Sequence, residues 1–217
     1  MKYHNAVRGN PIDFKGGRKQ KQKLSCVEDF EALHSYAPIG FAVPDNAPPI
    51  ILYVYDDIGP QVDYVEFCHS LRYAEPGQQI AIHINSPGGN LYTCLSIINA
   101  IEASSAEITT IVDGQAASAA AMIWLAGHTK LIASRHVEVM LHGASTAYGY
   151  AKTSEINNST KATDKIVEAL LDDLSMGFLT PEERDDIRKG VDVYLTGTDI
   201  IERLKLDQQE EDDGSQD

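Results

Sequence analysis

The sequence predicts an α/β fold built on a largely parallel β-sheet. Strand-length runs rich in β-branched residues alternate with amphipathic helical patterns through the first two-thirds of the 217 residues. Hydrophobic residues make up 43% of the chain, which is enough to form a substantial core. Such alternation is typical of parallel strands joined by right-handed crossover helices.

The strands are identified by their β-branched and aromatic content. Five of the six predicted strands precede a long helical pattern, and the sixth follows it near the carboxyl end. They cover residues 50–55, 79–85, 107–113, 130–133, 137–142 and 191–195. Gly114 is predicted to turn the chain after the third strand, into an alanine-rich helix over residues 119–126.

The other helices are predicted from apolar periodicity and start signals. They cover residues 24–36, 61–73, 91–103, 152–176, a segment beginning at Pro181, and residues 200–204. The helix over 152–176 is polar nearly all round between Ser154 and Asp164, so we expect that half to protrude from the core. Thr180, Pro181 and the two glutamates that follow form a strong helix start.

The two ends of the chain differ in charge. Residues 1–23 contain several glycines and a basic run from Lys15 to Lys23, whereas residues 207–217 are acidic and lack apolar side chains. Both ends are predicted to be solvated and disordered, with a partner contact by the basic arm as the alternative. Four prolines between residues 38 and 49 predict a connector ahead of the first strand.

Composition also narrows the functional class. The formal net charge of −14 argues against nucleic acid as a partner. The longest largely apolar run, residues 116–126, is shorter than the roughly 20 residues that span a bilayer, and no cleavable signal pattern is visible. We therefore expect a soluble, cytoplasmic protein. Cys26, Cys68 and Cys94 fit no zinc spacing and are expected to be free thiols, so no metal is predicted.

Ser118 stands where the third predicted strand gives way to the alanine-rich helix. A hydroxyl at this position can point out of the sheet. The first N–H groups of the helix then stay free to bind a ligand or an oxyanion. The alternative is a simple helix N-cap, for which serine is among the favoured residues.

Polar residues near two other strand ends can assist Ser118, because parallel sheets place their sites at the carboxyl ends of strands. His142 closes the fifth strand and is suited to act as a base for the hydroxyl. Asp192 lies in the last short strand and can orient an imidazole. The alternatives are a satisfied histidine at a strand end and a charge at a strand edge.

A glycine pair completes the candidate site. Gly88 and Gly89 follow the second strand and open a helix, so an N–H there can face the same side as the N–H of Ala119. Two such donors would form an oxyanion hole, which is often the largest single contribution to acyl transfer. The alternative is a tight turn without a chemical role.

Two segments, Ile84–Gly89 and Gly114–Ser118, strongly resemble the signature segments of the proteolytic subunit of the Clp protease. The resemblance continues through Ser134–His142, the long helix over 152–176 and Asp192–Thr196. The combination is specific, whereas either signature alone would also suit relatives in the wider crotonase-like superfamily.

The resemblance implies a catalytic triad, an oxyanion hole and two substrate-binding glycines. The triad would be the nucleophile Ser118, the general base His142 and the orienting acid Asp192. The oxyanion hole would consist of the backbone N–H groups of Gly89 and Ala119. The substrate-binding residues would be Gly88 and Gly143.

The implied reaction is hydrolysis of peptide bonds in proteins or peptides through an acyl-enzyme, with no metal or organic cofactor. The implied assembly is two stacked heptameric rings that enclose a chamber, fed by an ATP-driven (AAA+) unfoldase. The implied fold is a spiral of ββα units whose protruding handle helix, at about residues 144–176, interlocks the rings. The chain then divides into an amino-terminal arm (1–48), a protease domain (49–206) and an acidic tail (207–217).

The sequence departs from the family at a few positions. Ala119 stands where methionine commonly follows the serine, Gly143 and Ala144 replace a polar residue and proline, and Val193 and Tyr194 replace a basic–aromatic pair. Three alternatives stay open. They are a crotonase-like enzyme acting on an acyl thioester, an inactive subunit that scaffolds a ring, and a stand-alone viral protease for capsid maturation.

Overall fold

The computed structural model describes residues 50–145 and 152–204 and shows an α/β fold with a six-stranded, mostly parallel sheet. The predicted fold class is therefore confirmed. The strands are β1 (Ile50–Tyr55), β2 (Gln79–Ser86), β3 (Glu107–Ala117), β4 (Lys130–Ala133), β5 (Glu138–Leu141) and β6 (Val193–Thr196). The helices are α1 (Val65–Arg72), α2 (Leu91–Glu102), α3 (Ala119–Leu125), α4 (Thr153–Ser175), α5 (Pro181–Arg188) and α6 (197–204).

The sheet runs in the order β1-β2-β3-β5-β6, and β4 pairs with the first half of β3. All pairs are parallel except β5 with β6. β3 changes neighbour along its length, because residues 109–112 pair with β4 and residues 115–117 pair with β5. The long central strand therefore brings the carboxyl end of β2 and the start of β5 to one place.

The predicted end of the third strand is wrong. Gly114 does not turn the chain, since β3 continues through it to Ala117. The last residues of the strand are held by pairing on both sides, Ala116 with Ser86 of β2 and Ala117 with Met140 of β5. Tertiary pairing thus overrides the turn preference of glycine.

The core lies between the sheet and helices α1, α2 and α3. Alternate residues of β2, which are Ile80, Ile82 and Ile84, are fully buried, as period-two alternation requires for a strand with one covered face. Trp124 of α3 is also fully buried and contacts the ring of Phe178 edge-to-face, with centroids 5.3 Å apart. This contact joins the helix that follows Ser118 to the segment between α4 and α5.

Helix α4 has no buried residue in the half, Ser154 to Asp164, that was expected to protrude from the core. Its 23 residues include only two buried ones, Leu171 and Ser175, both in the carboxyl-terminal part. Apolar residues that share a helical stripe with Leu171 remain half-exposed; they are Ile156, Val167, Leu170 and Leu174. The amino-terminal part of α4 therefore makes little contact with the core.

Helix α5 begins as predicted. The Thr180 hydroxyl accepts a hydrogen bond from the N–H of Glu183, and the Glu183 carboxylate accepts one from the N–H of Thr180. That carboxylate also accepts two hydrogen bonds from Arg203 of α6, at 2.7 and 2.8 Å. The Arg203 hydrogen bond lowers the pKa of the Glu183 carboxyl. This ion pair links α5 to α6, the helices that precede and follow β6 in the chain.

We expect Glu183→Gln to lower the free energy of unfolding by about 1 kcal/mol at pH 7, because it removes one partner of a half-buried bidentate pair. The folded-state pKa of Glu183 lies below its unfolded value of about 4.5, so the stabilisation is present above that pH and is lost as the pH falls through the folded pKa. Urea unfolding at several pH values measures the difference. Lys189→Ala removes an exposed pair with Asp186 and should change stability by less than about 0.5 kcal/mol.

Several predictions fall outside the described residues. They concern the helix over 24–36, the basic arm, Cys26 and the acidic tail. Cys68 and Cys94 are buried free thiols, as expected. Among the helices of the described ranges, none has the length and apolar character needed to cross a membrane.

Candidate active site

Ser118 occupies a strained turn between the end of β3 and the start of α3. Its backbone dihedral angles are φ 56° and ψ −122°, and it is one of two non-glycine residues with positive φ in the described ranges. For a residue with a Cβ atom this conformation costs about 1–3 kcal/mol. The side chain makes no capping hydrogen bond, although Ser118 is in the N-cap position. The N-cap interpretation therefore does not explain this serine.

The Ser118 hydroxyl contacts His142 instead. Oγ of Ser118 lies 2.7 Å from Nε2 of His142, which directly follows β5. The backbone reinforces the approach, since the N–H of Ser118 donates to the carbonyl of Met140 at 2.8 Å. When the proton of the neutral imidazole is on Nδ1, Nε2 can accept the hydroxyl proton. The geometry is that of a nucleophile with its base in hydrogen-bonding reach.

Asp192 lies next to His142 in register but does not bond to it. β5 and β6 pair antiparallel up to Leu141 and Val193, so the next residues, His142 and Asp192, stand opposite each other. Opposite residues of such a pair have Cβ atoms about 4.5–5.5 Å apart. Asp192 is exposed, and the hydrogen bonds of the described residues include none between its carboxylate and His142. The sheet thus brings Ser118 and His142 into contact. Asp192, the third residue of the predicted triad, lies beside His142.

Two backbone N–H groups beside Ser118 have no acceptor among the residues that the structure describes. No hydrogen bond within the described ranges uses the N–H of Gly89 or that of Ala119, the first residue of α3. The loop that carries Gly89 is fixed by Ile58, whose N–H donates to the carbonyl of Gly88 and whose carbonyl accepts from Asn90, both at 2.8 Å. Such free, fixed donors are the components of an oxyanion hole.

Gly88 lets this loop approach the nucleophile. It has a φ of +99°, and an added Cβ would lie 2.6 Å from the carbonyl oxygen of Ala117 and 2.8 Å from Cβ of Ser118. A glycine is therefore required here both by conformation and by space. Gly88 packs against Ser118 itself and does not line the cavity described next, whereas Gly143 is part of the cavity wall.

A cavity of about 280 Å³ opens in front of Ser118 and His142. Its wall includes the predicted site residues Gly89, Ala119 and Gly143. Most of the remaining wall is apolar and comes from α2, α3, β5 and α4: Leu91, Cys94, Met122, Met140, Val167 and Leu170. The cavity is suited to an apolar side chain placed next to the reacting carbonyl.

Sequence reasoning missed the contribution of α4 to this wall. Thr163, Val167 and Leu170 were not among the predicted site residues, yet all three line the cavity. Their spacing of three and four residues was the available signal, since it places them on one helical face.

Cys94 is the other unexpected neighbour of the site. Its thiol donates to the carbonyl of Ala119 at 3.3 Å, and burial raises its pKa to about 12. The thiol is therefore neutral near pH 7 and does not compete with Ser118 as a nucleophile. Within residues 50–145 and 152–204, no three His, Cys, Asp or Glu side chains are grouped to hold a metal ion.

The sequence is similar to a known protein family and to several of its members. The Clp protease family model matches residues 53–200. The chain is 30% identical over 141 residues to the ATP-dependent Clp protease proteolytic subunit 4 of Streptomyces avermitilis, covering 64% of this chain and 62% of that protein. It is 42% identical over 88 residues to the ATP-dependent Clp protease proteolytic subunit of Bacteroides thetaiotaomicron, covering 40% of each. The matched region spans less than two-thirds of either relative.

Proposed function

Since the chain belongs to the Clp protease family, we propose that it is a serine peptidase that cleaves peptide bonds through an acyl-enzyme on Ser118. The observation that carries this proposal is the 2.7 Å contact between Ser118 Oγ and His142 Nε2 at a strained turn. The N–H groups of Gly89 and Ala119 supply the second requirement of acyl transfer, which is stabilisation of the oxyanion.

The proposed reaction begins with attack of Ser118 Oγ on the carbonyl carbon, while His142 Nε2 takes the hydroxyl proton. The carbonyl oxygen becomes an oxyanion held by the N–H groups of Gly89 and Ala119. His142 then returns the proton to the leaving amine as the C–N bond breaks. A water molecule attacks the resulting ester by the same route and releases Ser118. One oxyanion donor of this kind is worth about 10²–10³ in kcat.

The cavity supports protein or peptide substrates with an apolar side chain before the cleaved bond. Met122, Met140 and Val167 offer an apolar surface to that side chain. Gly143, directly after His142, lines the same cavity and leaves its backbone accessible to an extended peptide. We therefore place substrate binding along the Gly88–Gly89 loop on one side and Gly143 on the other.

We also propose an assembly of two stacked heptameric rings with an AAA+ unfoldase as partner, in the cytoplasm. The half-exposed apolar stripe along α4, for example Ile156 and Leu174, supports contact between subunits through this helix. The relatives named above are called ATP-dependent, which supports the unfoldase. The division into an arm (1–48), a protease domain (49–206) and a tail (207–217) belongs to the same proposal.

The test is covalent labelling by a fluorophosphonate probe followed by peptide mapping. The proposal expects a single labelled residue, Ser118, and loss of both labelling and peptide cleavage in His142→Ala. Ser70→Ala is a matched control, because among the described residues this hydroxyl bonds only to the Glu66 carbonyl of its own helix. Cleavage of an unstructured peptide by a chain that the probe does not label would contradict the proposal.

Asp192 is proposed to orient His142 once its carboxylate turns toward the ring. We expect Asp192→Asn to lower kcat by about 100-fold, because a neutral amide holds the imidazole less well in the productive tautomer. Peptide cleavage by the purified chain measures this effect. Asp173→Asn, on the exposed face of α4, should leave kcat unchanged. Equal activity of the two variants would remove Asp192 from the mechanism.

A second candidate function is favoured by that same missing Asp192–His142 bond. An inactive ring subunit that scaffolds an active relative needs no aligned acid. It would assemble into a large particle yet fail to label at Ser118, and mass measurement together with the labelling experiment separates the two functions. A crotonase-like enzyme would instead bind acyl-CoA, which calorimetric titration detects.

A further inference from the structure

Asn85 lies at an irregularity between the two strands that lead into the proposed oxyanion hole. Ile84 pairs with Val112 of β3, but the next pair joins Ser86 to Ala116. One residue of β2 therefore stands opposite three residues of β3, which are Asp113, Gly114 and Gln115. A bulge of this kind leaves backbone groups unpaired unless a side chain replaces the missing ladder bonds.

The Asn85 side chain supplies the replacement. Its Oδ1 accepts a hydrogen bond from the backbone N–H of Gln115 at 3.0 Å. Gly114 makes room for it, since a Cβ atom on residue 114 would lie 2.7 Å from the same oxygen. This spatial need explains a glycine inside β3. The main chain of Asn85 is held on the other side, where its carbonyl accepts from the N–H of Asp56 at 3.0 Å.

Both strands continue from this bridge directly into the site. β2 leads through Ser86, whose hydroxyl accepts from the N–H of Gly88, to the free N–H of Gly89. β3 leads from Gln115 to Ser118 and the free N–H of Ala119. The distance between the two donors thus depends on how β2 and β3 are fixed at the bulge.

Gln115 extends the same connection to the strand of the base. Its side-chain Nε2 donates to Oε1 of Glu138 at 3.2 Å, and the two residues are also paired in the β3–β5 ladder. Glu138 begins β5, which ends immediately before His142. Asn85 therefore contacts a residue of β3 that bonds through its side chain to the strand leading to His142.

We propose that Asn85 is a positioning residue for the peptidase reaction, holding the N–H groups of Gly89 and Ala119 at the separation that an oxyanion needs. This inference rests on the proposed function. Asn85 is exposed and does not line the cavity, so it acts through the backbone and not on the substrate. Displacement of a reacting geometry by about 1 Å can cost about 100-fold in rate, so a modest shift at the bulge is enough to matter.

The test compares a peptide aldehyde with the matching peptide alcohol. The aldehyde adds to Ser118 and places an oxyanion between the two donors, whereas the alcohol binds without that adduct. We expect Asn85→Ala to weaken aldehyde binding about tenfold or more, with little change in alcohol binding. Asn85→Asp keeps an oxygen acceptor at the same place and should retain most of the preference for the aldehyde.

Gly114→Ala provides an independent route to the same change. The new Cβ would displace the Asn85 side chain, so this variant should lose the aldehyde preference as Asn85→Ala does. The double variant Asn85→Ala/Gly114→Ala should be no worse than either single one, because both remove the same contact. Thermal unfolding of each full-length variant checks that the fold is kept.

Two results would overturn the inference. One is an aldehyde preference in Asn85→Ala equal to that of the wild type. The other is multiplication of the two single losses in the double variant, since this would mean that the residues act separately. A wild-type chain with no preference for the aldehyde would instead count against the proposed function itself, so the two failures are distinguishable.

Discussion

Ser118→Ala is expected to abolish peptide hydrolysis, with kcat falling by a factor of about 10⁴–10⁶. The methyl group cannot form the acyl-enzyme, and the remaining activity would come only from the N–H donors and the bound substrate. KM should change little, because the hydroxyl contributes to the transition state more than to ground-state binding. Steady-state cleavage of a peptide with an apolar side chain before the cut measures both constants.

Ser118→Gly separates chemistry from backbone strain at the same residue. Both variants lack the hydroxyl and its bond to His142, so both should be inactive. With φ at 56°, however, residue 118 is in a region that glycine adopts freely, and glycine is also the better residue in the N-cap position. Ser118→Gly should therefore be more stable than Ser118→Ala by about 1–2 kcal/mol in urea unfolding. Equal stability would show that the turn stores no strain.

Gly88→Ala should also damage activity strongly, with kcat at least about 100-fold lower than in the wild type. The new Cβ would meet the carbonyl oxygen of Ala117, Cβ of Ser118 and the N–H of Ala119, at 2.6, 2.8 and 3.1 Å. Relief requires the loop or the serine turn to move, and either movement separates the two oxyanion donors. We expect a loss of about 2–4 kcal/mol in unfolding free energy as well.

Gly77→Ala is the matched control for this effect. Gly77 also has a positive φ, +77°, but an added Cβ would meet no atom within 4 Å. Gly77→Ala should therefore lower the free energy of unfolding by about 1 kcal/mol, because of its backbone conformation and without a steric clash. The kcat of this variant should stay at the wild-type value. If Gly77→Ala and Gly88→Ala lowered activity equally, the close approach of Gly88 to Ser118 would have no special importance.

The sequence allowed the core of the site to be predicted, because strand ends in a parallel sheet converge. Ser118 and His142 follow β3 and β5, and those strands pair side by side at their carboxyl ends. The placement of both residues could be read from alternating patterns and residue types alone. The relation of Asp192 to His142 could not be predicted, since it depends on the rotation of a carboxylate directly before the start of β6.

Other features depend on contacts that a linear pattern does not contain. Gly114 has a turn-forming residue type, but its role in β3 is to make room for Asn85 from another strand. Val167 and Leu170 have the spacing of an ordinary helix face, and only the docking of α4 shows that they line the cavity. In both cases the decisive partner is far away in the chain.

The change of neighbour along β3 has a consequence for how the proposed peptidase would be controlled. Ser118 directly follows the 11-residue strand β3 at the centre of the sheet, whereas His142 directly follows the four-residue strand β5, next to the edge strand β6. β5 is therefore held by fewer ladder pairs than β3. We expect that a displacement of β5 would separate His142 from Ser118 while β1 to β4 keep their pairing, so that the proposed peptidase would lose activity without unfolding.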